Sequence, residues 1–453
     1  MTSHEKFHYQ NNEQLVAAAK AAGVKFPMSG NTAILREKVQ IGKKIIPNRL
    51  CINPMEGCDG EADGKPSELV KRRYRRFAQG GAGLLWFEAT AIVNEGRANP
   101  RQLLINAENR EALKELLTDS LKAGQEIFGQ EHRPFTVVQL THSGRYSRPG
   151  SKPSPIIAAR NPLLDAKLPE EFRVITDEEL IALEEKYVEA AVIAAEIGFD
   201  AVDIKCCHGY LLAELLSAYD RPGIYGGSFE NRTRFLCNVI NKIKAKLGET
   251  IEIAVRMNAY DAYAHGWAVD SMEPAKADLT ETKKLVRLLY DSGVKLINVS
   301  AGNPYYNPHI GRPYDIGGYI PPYNQLEAVE NLLSLSKELQ AEMPDAIIVA
   351  TGFSWLRQFG TDIAAGGVAE GWFKIAGFGR QAFAYPSFAQ DILEKGAMDQ
   401  SKVCVACSKC SLMMRDGGRA GCVIRDAALY VPMYREGREG KAAFESNRIA
   451  EHV

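Results

Sequence analysis

A chain of 453 residues with 45% hydrophobic content, 25% charged content and a formal net charge of −1 has the composition of a soluble, enzyme-like globular protein. That balance gives no nucleic-acid footprint, and no apolar run is long enough to span a bilayer. The opening MTSHEKFHYQNNEQ lacks the apolar core of a secretory signal, and Cys51, Cys58, Cys206, Cys207 and Cys237 lie in or beside apolar segments rather than in a disulfide framework, so a reducing cytoplasm fits.

Residues 12–23 read as a short helix, and 35–46 as a strand pair turning at Gly42-Lys43, placed to cap the bottom of a barrel. One pattern then recurs: a short apolar run, a loop, an amphipathic helix. The runs lie at 50–53, 83–87, 135–140, 201–204, 251–255, 296–299, 346–350 and 372–376. Helices are expected at 68–78, 110–127, 177–197, 230–246, 280–290, 326–339 and 355–365, the third opening on a Thr176/Glu179 capping box. Strands alternating with helices about eight times predict a (β/α)8 TIM barrel of the α/β class. The division expected is an N-terminal helical extension (1–34), a barrel with its hairpin cap (35–398) and a cysteine loop with a tail (399–453). The basic run 71–76 reads as the wet face of its helix, and Arg145 and Arg148 as solvated loop charges. The loops 143–173 and 301–323 are too long for plain connections and are expected to wall a pocket.

Chemistry in such a barrel gathers at the carboxyl ends of the strands. Those ends carry Pro54, Met55 and Glu56; Glu88 and Ala89; Gln139; Lys205, His208 and Tyr210; and Arg256. Strands seven and eight end in glycine turns at Gly352 and Gly379-Arg380, where small residues let backbone amides reach a phosphate and Arg380 adds a charged clamp. A phosphate-bearing cofactor over the barrel mouth follows, with Gln139 and Arg256 facing its other end.

Near the carboxyl terminus Cys404, Cys407 and Cys410 stand at two-residue gaps, and Cys422 follows after eleven residues. Four thiolates from one loop suit a [4Fe–4S] cluster, with Gly417, Gly418 and Gly421 letting the chain bend closely around it. Structural zinc is the competing reading, although its knuckles are usually two separated CxxC pairs.

The segments IIPNRLCINPM, VVQLTHSGR, HGYLLAELLS, YGGSFENRTRF, IAVRMN and GFGR, in this order, resemble the Old Yellow Enzyme family of FMN oxidoreductases. With the cysteine loop added, the resemblance narrows to the branch containing 2,4-dienoyl-CoA reductase and trimethylamine dehydrogenase, and it runs from about residue 35 to 422. It implies FMN at the barrel mouth, with Gln139 and Arg256 on the flavin pyrimidine, Pro54, Met55 and Ala89 lining it, and Gly352, Gly379 and Arg380 on its phosphate. It implies hydride transfer to an activated C=C bond of a small unsaturated carbonyl substrate, with Tyr210 as proton donor. Lys205 and His208 stand where relatives place a His/Asn pair, and Glu56 where they place Thr or Cys. His309 lies near a second acid of the dienoyl-CoA reductases, displaced in register.

Relatives with the cluster continue into two nucleotide-binding domains, whereas the 31 residues after Cys422 hold no GxGxxG fingerprint. Electrons are therefore expected to enter through a separate redox partner docking near the cluster, or from NAD(P)H bound over the flavin. Two alternatives stand beside this reading. One is an amine or alcohol dehydrogenase with an aromatic cage from Tyr260, Tyr263, Tyr305 and Tyr306; the other is a non-catalytic electron-transfer subunit. A homo-oligomer is compatible with the sequence.

Overall fold

Eight stretches rich in Val, Ile, Leu and Phe pair in parallel into a closed barrel in the computed structural model, which describes residues 3–440. Residues 441–453, the end of the expected tail segment, lie outside the described residues. A two-residue turn joins β1 (Val39–Ile41) to β2 (Lys44–Ile46) ahead of the barrel. The barrel opens with β3 (Leu50–Ile52), β4 (Leu84–Ala91) and β5 (Phe135–Thr141). A small separate pair, β6 (Ile156–Ile157) and β7 (Arg173–Val174), interrupts the series. It resumes with β8 (Ala201–Ile204), β9 (Glu252–Asn258), β10 (Leu296–Ser300), β11 (Ile347–Ala350) and β12 (Ile375–Phe378). Pairing of Ala376 with Leu50 and Phe378 with Ile52 closes the ring.

Alternation along the strands sorts their side chains into two layers. Leu84 and Trp86 of β4, Phe135 and Val137 of β5, and Ile347 and Val349 of β11 share one buried cluster with Val39, Ile41 and Ile46, so the hairpin plugs the barrel interior. Leu85, Phe87 and Val138 face the other way, into the cluster built from the apolar faces of the helices. The helix Asp177–Ile197 opens on the Thr176/Glu179 capping box and stops at Gly198 in the left-handed region. No helix among the described residues is long and apolar enough to cross a membrane.

Three local expectations are corrected. The span 355–365 is not one helix: a 3₁₀ segment, Phe353–Phe359, is broken at Arg357 (φ 52°) before helix Gly360–Ala369. Arg357 takes that conformation with its guanidinium on Asp315 at 2.9 Å and over the Phe7 ring. The basic run 71–76 is not simply a wet face. Arg73 is buried between Asp59 and Glu88, while Arg72 and Arg76 both reach Asp426 of the carboxyl-terminal segment. One guanidinium shared by two buried carboxylates leaves the second under-compensated, and burial raises Glu88 to about 7. Arg145 is likewise buried, held by Asp165 and Glu214.

Beyond the barrel, helix Lys409–Arg415 follows the first cysteines, and helix Ala427–Arg438 closes the described chain. Met413, Val423, Leu429, Tyr430 and Met433 pack with Leu69 of helix Glu68–Ala78.

Candidate active site

At the carboxyl ends of the strands a cavity of about 600 Å³ is lined by Pro54, Met55, Glu56, His208, Arg256, Gly352, Gly379 and Arg380, and its wall includes Cys410. Seven of the nine expected cofactor residues and the Cys410 thiol thus share a single space. Ala89, Gln139, Lys205 and Tyr210 stand behind that wall rather than on it. Among the described residues the wall carries seven Lys or Arg side chains and one carboxylate, Glu56.

The floor is set by Asp203, which the sequence reading passed over. Its carboxylate accepts from Gln139 Nε2 at 2.6 Å, Trp86 Nε1 at 2.9 Å and the Arg256 backbone N–H at 2.7 Å. Burial raises it to about 6 while those donors hold it down. Its signal was period two: residue 203 shares the inward face of β8 with Ala201, so an acid there had to meet donors from β5 and β9. Arg256 Nη1 donates to the Pro54 carbonyl at 2.7 Å, whereas its Nε is buried with no acceptor among the described residues.

After β8 the chain turns through His208 (φ 66°) and Gly209 (φ 70°), and Tyr210 becomes the N-cap of helix Leu211–Leu216. A side chain at 209 would overlap the Asn303 amide, so glycine is required there. His208 Nε2 meets Ser300 Oγ at 2.9 Å, and burial, then Arg256 and Lys205, drive its pKa well below the usual value, leaving a neutral imidazole. Lys205 lies with its ammonium 3.5 Å from the centre of the Tyr210 ring, and burial lowers its pKa. The Tyr210 hydroxyl donates to Glu56 and stands 2.9 Å from the Tyr305 hydroxyl. Burial, then Glu56 and Tyr305, push it well above the ordinary phenol range. Tyr305 also donates to Glu56 at 3.2 Å and stacks on Tyr146 at 3.8 Å. This Glu56–Tyr210–Tyr305 triad was not legible beforehand, because its members are 95 to 249 positions apart.

His309 does not reach this cavity wall; its Nδ1 is 2.5 Å from the Tyr319 hydroxyl, and burial lowers its pKa to about 4. The four tyrosines of the expected cage separate. Tyr305 and Tyr306 line the cavity, Tyr260 accepts from Asn331 at 3.0 Å, and Tyr263 donates to Asp261 at 3.2 Å.

At the phosphate end, Arg380 Nη2 donates to the Pro313 carbonyl at 2.6 Å, and its Nη1 is buried without an acceptor among the described residues. Buried, unsatisfied donors on Arg256 and Arg380, together with the left-handed Gly352 (φ 116°), fit a phosphate-bearing cofactor that completes their bonding. Burial and the neighbouring Arg380 and Arg415 lower the pKa of Arg312 on the same wall.

The cysteine loop carries sulfur acceptors already met by amides. Ala406 N–H points to Cys404 Sγ at 3.4 Å and Arg425 N–H to Cys422 Sγ at 3.3 Å. Cys407 lines a second cavity of about 250 Å³ with Arg312, Tyr319 and Arg415. Among the described residues no group of three or more His, Cys, Asp or Glu is gathered as a single metal ion requires. Thiol donors with amide hydrogen bonds to sulfur fit the chemistry of an iron–sulfur cluster.

Residues 35–310 match the NADH:flavin oxidoreductase / NADH oxidase family, and the chain belongs to that family, whose flavin is FMN. It is 30% identical over 293 residues to an NADH:flavin oxidoreductase of Gibberella zeae, covering 60% of this chain and 68% of that protein. It is 26% identical to a cinnamate reductase of Clostridium sporogenes, over 88% of this chain and 58% of the relative. A 2-naphthoyl-CoA reductase has a similar fold (TM-score 0.68, 20% identity, 83% of this chain and 54% of that one). The chain spans little more than half the length of these two reductases.

Proposed function

We propose that the protein is an FMN- and [4Fe–4S]-dependent ene-reductase acting on the activated C=C bond of a small unsaturated carbonyl compound. The observation that carries the reading is the shared cavity, with flavin-type contacts at Pro54, Met55, Arg256, Gly352, Gly379 and Arg380 and the Cys410 thiol on one wall. FMN, when bound, supplies the hydride to the carbon β to the carbonyl. His208, neutral and on the wall, orients the carbonyl oxygen and donates to the enolate that forms. Tyr210 protonates the α carbon, and Lys205, over its ring, stabilises the negative charge left behind. Gln139, fixed by Asp203, and Arg256 hold the far end of the flavin.

The cationic wall suits an anionic substrate, and the relative named cinnamate reductase supports an α,β-unsaturated acid. Cys404, Cys407, Cys410 and Cys422 hold the cluster. A cubane joins each thiolate to a different iron, so it does not need the convergence a zinc ion demands. Electrons enter from NAD(P)H or from a separate redox protein docking beside Cys407, where Ile316 is exposed. An anaerobic titration with NADH, NADPH and then dithionite, read at flavin and cluster absorbance, tests this. Bleaching followed by reoxidation with an enoate is expected; a chain that carries no flavin ends the reading.

A further inference from the structure

We propose that the flavin phosphate is clamped by three arginines, Arg312, Arg380 and Arg415, the last supplied by the cysteine-bearing helix, so that the cofactor ties the cluster segment to the barrel. The proposal rests on the reading that this cavity takes FMN. Arg380 follows β12, Arg312 follows the short helix Pro308–Gly311, and Arg415 ends helix Lys409–Arg415; all three line the cavity with Gly352 and Gly379. Arg380 Nη2 bonds the carbonyl of Pro313, next to Arg312, and Arg312 in turn bonds Ser411 on the cysteine-bearing helix. The three side chains therefore converge from three separate parts of the chain.

Among the described residues no carboxylate pairs with them, and Cys410 and Tyr314 only partly offset the charge of Arg312. The carboxylate of the cavity wall, Glu56, is already engaged by Tyr210 and Tyr305, while Arg380 Nη1 and Arg312 Nε are buried without an acceptor, all among the described residues. Like charges with unsatisfied donors are stabilised by an anion set among them. A phosphate monoester brings about two negative charges and three acceptor oxygens, and guanidinium forks match that geometry. A carboxylate offers half the charge and fewer acceptors.

Riboflavin, which lacks the phosphate, isolates this contact. The full chain, stripped of flavin, is titrated with FMN and separately with riboflavin by flavin fluorescence, as wild type, Arg312→Ala and Arg415→Ala. Each loss of a charge-assisted contact is expected to weaken FMN about tenfold or more and to leave riboflavin unchanged. Arg415 is exposed, so its variant keeps the fold even if Arg312→Ala does not. Unchanged FMN affinity in Arg415→Ala, or equal weakening of both flavins, overturns the clamp. Wild-type protein that binds neither flavin overturns the flavin reading itself, a result distinct from the other two.

Discussion

Replacing Tyr210 by Phe removes one hydroxyl from a triad and asks whether that hydroxyl delivers the proton. Glu56 retains its hydrogen bond from Tyr305 at 3.2 Å, so no buried carboxylate is stranded and the stability cost is about 1 kcal/mol. The chemical cost is larger. General-acid catalysis contributes roughly a hundredfold to ten-thousandfold, which is about 3 to 5 kcal/mol of barrier. Anaerobic stopped-flow separates the two half-reactions: reduction of the flavin by the donor should proceed at the wild-type rate, and its reoxidation by an enoate should slow by that factor. The Tyr210 pKa lies well above 10, so the wild-type reoxidation rate should show no titration of this group between about pH 6 and pH 9. Reoxidation slowed by less than tenfold refutes the assignment. The proton would then come from Glu56 or Tyr305, which line the cavity while Tyr210 does not.

Cys407→Ala should abolish the cluster while FMN remains bound; iron at four per chain in that variant, by elemental analysis, contradicts the ligand set. Glu88→Gln should change how stability depends on pH. The folded pKa of Glu88, about 7, lies above its unfolded value of about 4.5, so the native state binds the proton more tightly. Wild-type stability is then greatest below pH 4.5 and falls relative to the Gln variant as pH rises through 7, by roughly 3 kcal/mol in all. Urea unfolding of both proteins across that range measures it, and parallel curves show that Glu88 does not titrate there. Gly421→Ala should cost about 1–3 kcal/mol, because the new methyl overlaps the Tyr430 ring. An unchanged Tm would mean that the loop yields freely.

The eight strands were legible because each apolar run is bounded by turn residues and separated by a helix-length amphipathic stretch, and a parallel barrel imposes that spacing along the chain. Strand-end residues could then be assigned to one mouth by topology alone, which is why Pro54, His208, Arg256 and Arg380 fall on one cavity. Depth was not legible. Period two places Asp203 inward but does not say that it takes Gln139 and Trp86 while Lys205 settles over a phenol ring. Ion pairs escaped for a related reason: Arg73 reads as one charge in a basic run until the fold brings it Asp59 and Glu88 from two other segments. The break at Arg357 depends on Asp315 and Phe7, partners that no local pattern contains.

Those same ion pairs bear on the proposed electron transfer, which would need a fixed distance between flavin and cluster. Helix Glu68–Ala78 belongs to the barrel, yet one of its faces serves the carboxyl-terminal segment. Leu69 packs with Met413, Val423 and Tyr430, while Arg72 and Arg76 bind Asp426. Arg73 donates to the Ala420 carbonyl at 3.3 Å, and Asp59 accepts the Ala420 N–H at 2.8 Å. Backbone hydrogen bonds to a single residue fix position more tightly than a surface ion pair, because both partners are buried and neither can swap for water. Ala420 lies two residues before Cys422, so the barrel grips the loop beside its last thiol. Cys410, at the other end of the same loop, reaches the cavity wall. The cysteine segment is therefore seated by the first barrel helix on one side and by the cavity on the other, and under the proposed function the two seats together would set the distance an electron must cross.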